Sequence, residues 1–202
     1  MKNKKLIIFL VFVMIFLAIP IFASNKNVKL ASITYPPYSG PEIENHRFVT
    51  EIIESSFERK NYSVSVDFML WSEALNKTKS GEYDGIYTLW YRKDREEWFS
   101  YSNPFVPNEV VVCKDSSTDL NFQDYQDLEG NVVGVVKDYT YPEEFYNYNY
   151  TIKEYKNDKE LLGKLFSGEV DVVPIDRGQA IYITKQEYPD KIDSLVCLED
   201  AI

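Results

Sequence analysis

From Val28 to Leu198 the chain alternates short β-type runs with segments of helical spacing, and this alternation restricts the fold more than any other feature. Val28 to Thr34 reads as a strand, stopped by the aromatic, proline-rich turn Tyr35-Pro36-Pro37-Tyr38-Ser39-Gly40. Phe48, Ile52, Ile53 and Phe57 recur at helical spacing and predict an amphipathic helix over 48–60. Val64, Val66 and Phe68 alternate in a predicted strand over 63–70. Ser72 is placed to cap a helix that buries Leu75 and closes at Ser80-Gly81, and a strand over 83–90 follows. Two β-α-β units in a row call for a parallel sheet with helices on its faces, because parallel neighbours need a long crossover between them.

The pattern changes at Ser102-Asn103-Pro104. Val106 to Lys114 is a long β-branched run centred on Val110, Val111 and Val112, and a polar loop then leads into a second alternating series. Its predicted strands cover 132–136, 151–155, 170–175 and 192–198, and its predicted helices cover 141–146, 158–166 and 177–187. The expected fold class is therefore α/β, with two lobes joined near 104–112. Residues 24–105 are assigned to lobe 1 and 106–198 to lobe 2, with a hinge strand near 106–112 and a start of return to lobe 1 at 199–202. Ligands of open α/β sheets sit outside the carboxyl ends of strands, where Tyr35, Trp90, Lys137 and Asp176 fall. A cleft between two lobes is also a favoured ligand site.

Charge narrows the kind of ligand. With 22 basic against 32 acidic residues the chain carries −10, which argues against binding nucleic acid or an anionic membrane surface through bulk charge. An anionic group must instead be caught by a few placed donors. The stretch Asp84 to Pro104 offers one arrangement, a strand running into the charged cluster Arg92 to Glu97, where a guanidinium lies close to the free amides of a helix start. The same six residues can equally form a solvated face with local ion pairs. The 16 tyrosines supply flat apolar walls with a hydroxyl at the edge. His46 is the only histidine and the two cysteines are not at ligand spacing, so neither a metal site, nor a histidine-based triad, nor a cofactor is expected. Cys113 and Cys197 can pair in an oxidising compartment, although sequence alone does not show that their β-carbons approach.

Lys2, Lys4 and Lys5 precede an apolar run from Leu6 to Ile19, then Pro20, Ile21, Phe22, Ala23 and Ser24. That is the layout of a secretory signal peptide over 1–23, cleaved after Ala23. The alternative is an uncleaved membrane anchor, since Leu6 to Ala23 is about long enough to span a bilayer. No second spanning stretch and no lipoprotein cysteine follows, so the body is expected to be soluble outside the cytoplasmic membrane.

Several motifs stand in a definite order: Tyr35-Pro36-Pro37-Tyr38, Ser80-Gly81-Glu82-Tyr83-Asp84, Arg95 ahead of Tyr101-Ser102-Asn103-Pro104, Asp127-Leu128-Glu129-Gly130, Val133-Gly134-Val135, and Ser167-Gly168-Glu169-Val170-Asp171. From Val28 onward the chain thereby resembles the family 3 extracellular solute-binding proteins, periplasmic receptors for amino acids that serve ABC transporters. The resemblance implies a two-lobed type II periplasmic binding protein fold that closes over a small amino-acid-like zwitterion. It also implies a monomer without turnover that meets a transporter permease or membrane receptor. In that family an arginine six residues before the aromatic of the Phe-Ser-Asp-Pro motif grips the ligand carboxylate, which implies Arg95. The hydroxyl after the Val-Gly-Val strand implies Thr140, and the aspartate five residues after the Ser-Gly-x-x-Asp motif implies Asp176 for the ammonium group. Tyr35 and Tyr38 match rings that flank the ligand, while Thr88 and Trp90 occupy the segment ahead of the carboxylate arginine.

Elementary chemistry agrees with these roles, since a guanidinium fork fits a carboxylate bidentately and an aspartate supplies a fixed negative charge. Structural alternatives remain open. Asp176 can be a helix N-cap before Arg177, Thr140 can cap the helix beginning at Tyr141-Pro142, and Trp71 can be a core residue. The chain also departs from the family. Ser32 stands near a usually acidic position, Arg47-Phe48-Val49 replaces a Gly-Phe-Asp motif, and Asp138 takes the place of a glycine. Bulky Leu89, Trp90 and Tyr91 occupy a region of small hydroxyl residues, and the end at Ile202 resembles a truncated member. Two other functions stay open: an enzyme on the same scaffold, like the cyclohexadienyl dehydratases, with a general acid among Glu109, Glu144 and Asp176, or a degenerate member that binds nothing.

Overall fold

Strand β1 (Lys26–Ser32) is the middle of a three-stranded sheet, flanked by β2 (Tyr62–Phe68) and β3 (Gly85–Ile86), both parallel to it. The computed structural model describes residues 26–41 and 48–198, so the apolar segment 1–23, His46 and the return at 199–202 lie outside the described residues. Helices α1 (Phe48–Glu58) and α2 (Trp71–Lys79) are the crossovers between these strands. Successive strand side chains point to opposite faces, and β1 uses both. Leu30 packs with Val49 and Tyr87 on one side, and Ala31 joins Ile33, Trp71, Ala74 and Tyr83 on the other.

Two local expectations fail in this unit. The strand foreseen over 83–90 shrinks to Gly85–Ile86, because Thr88 adopts a φ of 64°, a conformation a β-branched residue rarely takes and one that ends extended backbone. Ser72 does not cap α2. Extended Leu70 holds the N-cap position without a side-chain bond, and the Ser72 hydroxyl donates to Asp138 at 2.8 Å.

The second unit contains β4 (Val110–Asp115), β5 (Val132–Val136), β6 (Thr151–Tyr155), β7 (Val173–Asp176) and β8 (Leu195–Cys197), with helices α3 (Asp158–Phe166) and α4 (Arg177–Glu187). β4 runs antiparallel between β7 and β8, and β5 pairs in parallel with β6. A bridge from Val133 to Val172, with Gly134 N–H donating to the Val172 carbonyl at 3.0 Å, joins the two pairings into one layer. Helix α3 lies very close to that layer. A Cβ at Gly134 would stand 2.6 Å from Leu161 Cδ1, so the glycine is what admits Leu161. Leu161, Leu162 and Leu165 fill one face of the layer, and Phe145 packs among Tyr125, Tyr141 and Tyr150 on the other. The helix expected over 141–146 is a 3-10 turn, Glu143–Asn147, with Pro142 at its N-cap. Cys113 and Cys197 face each other in the β4–β8 register and form a disulfide.

Among the described residues one segment links the two units. Val106 packs on the cluster of Leu30, Val49 and Tyr87, whereas Val110 already pairs with Asp176 in the second sheet. The chain therefore crosses over 107–109, and there the Asn108 side chain donates to the Tyr35 hydroxyl at 3.3 Å.

Candidate functional site

The two units face each other across a cavity of about 480 Å³, counted out to its mouth. The first unit reaches it through loops. In the charged cluster, Lys93–Glu97 is a 3-10 helix and not the start of an α-helix, so the arrangement with free helix amides does not form. Instead the cluster divides. Arg92 pairs with Asp94 on the surface, as the solvated reading holds, while Arg95 turns inward and is 3% exposed.

The Arg95 guanidinium is held on three sides. Nη1 donates to the Trp90 carbonyl at 3.2 Å and to Thr140 Oγ1 at 3.0 Å, and Nη2 donates to the Asp138 carbonyl at 2.9 Å. Its carbon lies 5.4 Å from the centre of the Trp71 ring, within cation–π range. Burial, and then the charge of Arg92, lowers its pKa from the ordinary value. Its Nε–H and second Nη2 hydrogen make no bond among the described residues, which leaves donors for a carboxylate.

Asp138, in the turn after β5, is the other half of this arrangement. It has a φ of 63°, in the left-handed region that glycine enters most easily and aspartate tolerates. Its carbonyl accepts from Trp71 Nε1 at 2.8 Å as well as from Arg95, and its carboxylate accepts from Ser72. Trp71 is therefore both a core residue and a bond across the cleft.

Asp176 closes β7 and caps α4, as its structural alternative holds: Oδ1 accepts from Gln179 N–H at 2.8 Å. Oδ2 faces the Tyr38 hydroxyl at 3.3 Å. The side chain also lines the cavity at 2% exposure, and burial raises its carboxyl pKa against the lowering effect of these bonds. Tyr38 is not in the cavity wall; it acts on the wall through Asp176. Gly178 permits this, since a Cβ there would stand 2.7 Å from the Tyr38 hydroxyl. Tyr35 lines the cavity, stacked on Tyr38 at 5.6 Å, and burial followed by the Asp176 charge raises its hydroxyl pKa well above the usual range.

Thr140 is not a helix cap; its hydroxyl meets Arg95. Thr88 and Trp90 both line the cavity, but the Thr88 hydroxyl turns back to the Tyr87 carbonyl. Trp90 presents a 38% exposed ring and lends Arg95 its carbonyl, so a backbone acceptor stands where the family has side-chain donors. Lys137 is exposed and lies outside the wall.

Sequence reasoning missed Asp158. This first residue of α3 is 4% exposed, lines the cavity and accepts from the Tyr139 hydroxyl at 2.8 Å. Burial pushes its carboxyl up to about 6. A signal was present: Asn157 is the helix cap, bonded to Glu160 N–H at 2.9 Å, so the adjacent acid at a strand's carboxyl end was left without a capping task. A second and larger cavity, about 1450 Å³ to its mouth, shares Ile33, Trp71, Tyr139 and Asp158 with the first. Among the described residues no group of histidine, cysteine, aspartate and glutamate could hold a metal ion, and no helix is long and apolar enough to cross a membrane.

This arrangement of layers is the two-lobed type II periplasmic binding protein fold, and the first and second units are its lobes 1 and 2. Truncated, arginine-bound ArgBP from T. maritima superposes with a TM-score of 0.74 at 17% identity, over 87% of this chain and 83% of that one. A substrate-binding protein of an amino acid ABC transporter gives 0.69 at 16% identity, over 85% and 77%. A histidine kinase sensor domain with similarity to periplasmic binding proteins gives 0.74 at 17% identity, over 88% and 78%. No protein-family profile and no curated protein matches the sequence.

Proposed function

We propose that this protein binds a small amino-acid-like zwitterion in the cleft between its lobes, outside the cytoplasmic membrane, and delivers it to an ABC transporter. One observation carries the reading. Arg95 of lobe 1 shares a single cavity with Thr140 and Asp176 of lobe 2. Arg95 offers its remaining donors to the carboxylate with the Thr140 hydroxyl beside it, Asp176 receives the ammonium group, and the Tyr35 ring covers the ligand. Thr88 and Trp90 bound the carboxylate end, and Tyr38 positions Asp176.

Closure is by rotation of residues 24–105 against 106–198 about the crossing at 107–109, within the hinge region near 106–112. Ligand contacts on both lobes favour the closed pair, and a monomer suffices. Export rests on the N-terminal segment 1–23, and the Cys113–Cys197 disulfide is consistent with an oxidising compartment. The same closure can be read by a membrane receptor, a second reading favoured by the likeness to a kinase sensor domain. Of the acids suited to the dehydratase alternative, Glu109 and Glu144 are exposed and outside the cavity, and Asp176 is already bonded to Gln179 and Tyr38.

A thermal-shift screen of the folded mature protein against amino acids tests the proposal. At least one should raise Tm by several degrees, since a ligand bound only by the native state stabilises it by mass action. A uniformly flat screen overturns it, and turnover of prephenate or arogenate would move the assignment to the enzyme.

A further inference from the structure

Three charged side chains line the first cavity: Arg95, Asp158 and Asp176. A zwitterion held as proposed above occupies Arg95 and Asp176 and leaves Asp158 over. No cation pairs with Asp158 among the described residues; the Tyr139 hydroxyl donates to it at 2.8 Å, and the Gln179 side chain lies beside it. An ionised carboxylate buried without a counter-charge is unfavourable, and a ligand cation can supply what is missing.

A second observation points the same way. Asp158 stands in the shared wall of the two cavities, and the larger one beyond it is also lined by Gln179. The Gln179 carboxamide is 1% exposed, and neither its nitrogen nor its oxygen has a hydrogen-bond partner. It approaches the Asp158 carboxyl closely enough to lower that group's pKa without forming a well-shaped hydrogen bond. A buried amide without a well-shaped hydrogen bond at the border of an open cavity has bonding capacity that a ligand can use.

We infer that Asp158 is the specificity-determining residue of the cleft and binds a second, distal cation of the ligand, with the Gln179 amide oxygen accepting beside it. The ligand class is then an α-amino acid with an ammonium or guanidinium side chain. Such a ligand pairs all three charges: carboxylate on Arg95, α-ammonium on Asp176, side-chain cation on Asp158 where the first cavity opens into the second. A neutral or acidic side chain leaves Asp158 buried without a counter-charge and is selected against. This inference rests on the zwitterion reading, and the test separates the two.

In the empty protein Asp158 is a liability. Its carboxyl is raised by burial to about 6, so the stability it contributes in the protonated form is full below about 4 and is lost as pH rises through about 6. The groups facing it are Tyr139 and Tyr141 after β5, Tyr35 of lobe 1, Asp176 of β7 and Gln179 of α4. Among these, Asp176 is the other acid raised by burial, and it is the same in both proteins compared below.

The mature protein and Asp158→Asn are titrated calorimetrically at pH 7.5 with L-arginine, L-lysine, L-glutamine and L-glutamate, and the ligand-free Tm of each is measured from pH 4 to 7.5. The wild type should bind arginine or lysine at least tenfold more tightly than glutamine. Asp158→Asn should lose at least tenfold for the cationic ligand and less than threefold for glutamine. Its ligand-free Tm at pH 7.5 should equal or exceed that of the wild type, and the fall in Tm from pH 4 to 7.5 should be smaller. Glutamine or glutamate bound as tightly as arginine and lysine overturns this inference while leaving the zwitterion reading intact. Absence of binding by every amino acid overturns both. A lowered ligand-free Tm in Asp158→Asn makes the residue structural and also overturns it.

Discussion

The two lobes build their halves of the cleft in different ways. Lobe 2 places Asp176 at the end of β7, Asp158 at the first residue of α3, and Tyr139 and Thr140 in the turn directly after β5. Lobe 1 reaches the same cavity from the cis-prolyl turn at Tyr35, from the segment after a two-residue strand, and from a 3-10 helix. The cores differ in parallel. β5 and β7 of lobe 2 are almost wholly buried, whereas β2 of lobe 1 has no fully buried residue. Lobe 2 thus presents its acids at the ends of regular elements and Tyr139 and Thr140 from one turn, whereas lobe 1 supplies loops whose geometry is completed by the other lobe. Arg95, bonded to Asp138 and Thr140, is the clearest instance.

The largest expected effect tests the difference between the cores. Leu161 and Leu30 are both buried leucines, one under α3 in lobe 2 and one on β1 in lobe 1. Leu161→Ala should cost about 4 kcal/mol and Leu30→Ala about 2 kcal/mol, because the denser surroundings of Leu161 cannot collapse into the space left. Urea denaturation measures both, and equal losses would break the comparison.

The dependence of lobe 1 on lobe 2 is tested next. Arg95→Ala should lower affinity for the ligand at least a hundredfold, about 3 kcal/mol, with the circular dichroism spectrum unchanged. Retained affinity for a carboxylate ligand in that variant would place the anion site elsewhere.

The smallest effect sharpens the role of the Asp138 turn. Asp138→Gly removes the left-handed strain but also the Ser72 bond, while the carbonyl that accepts from Trp71 and Arg95 remains. The two changes oppose each other, so stability should move by less than about 1 kcal/mol. A loss well beyond that in thermal melts would mean that the Asp138 side chain, and not its backbone, joins the lobes.

Legibility does not follow the lobes, since in lobe 2 the strand expected over 192–198 shortens to Leu195–Cys197 behind the 3-10 helix Pro189–Ser194. β5, β6, α3 and α4 span the residues foreseen for them, because their apolar periodicity matches an environment buried on one side or both. In lobe 1 the apolar run from Tyr83 to Trp90 reads as a strand, yet pairing stops at Ile86 as Thr88 turns the chain toward the cleft. For Arg92 to Glu97 the local pattern gave two readings of equal standing. The solvated ion pair forms at Arg92 and the arrangement with helix-start amides does not, while Arg95 is buried against the second lobe, which neither reading foresaw.

Arg95, Thr140 and Asp176 were implied by the resemblance in motif order, whereas the sequence by itself determined the α/β alternation, the parallel first sheet and the change of pattern between the two units. These follow from side-chain periodicity and turn chemistry, which act over a few residues. Tertiary structure decided that Arg95 turns inward while Arg92 does not, that Cys113 meets Cys197 across β4 and β8, and that Asp158 stands buried between two cavities beside Gln179. Each of these joins segments distant along the chain, and burial against such a segment, which local spacing does not encode, makes one charge among several a candidate for ligand contact.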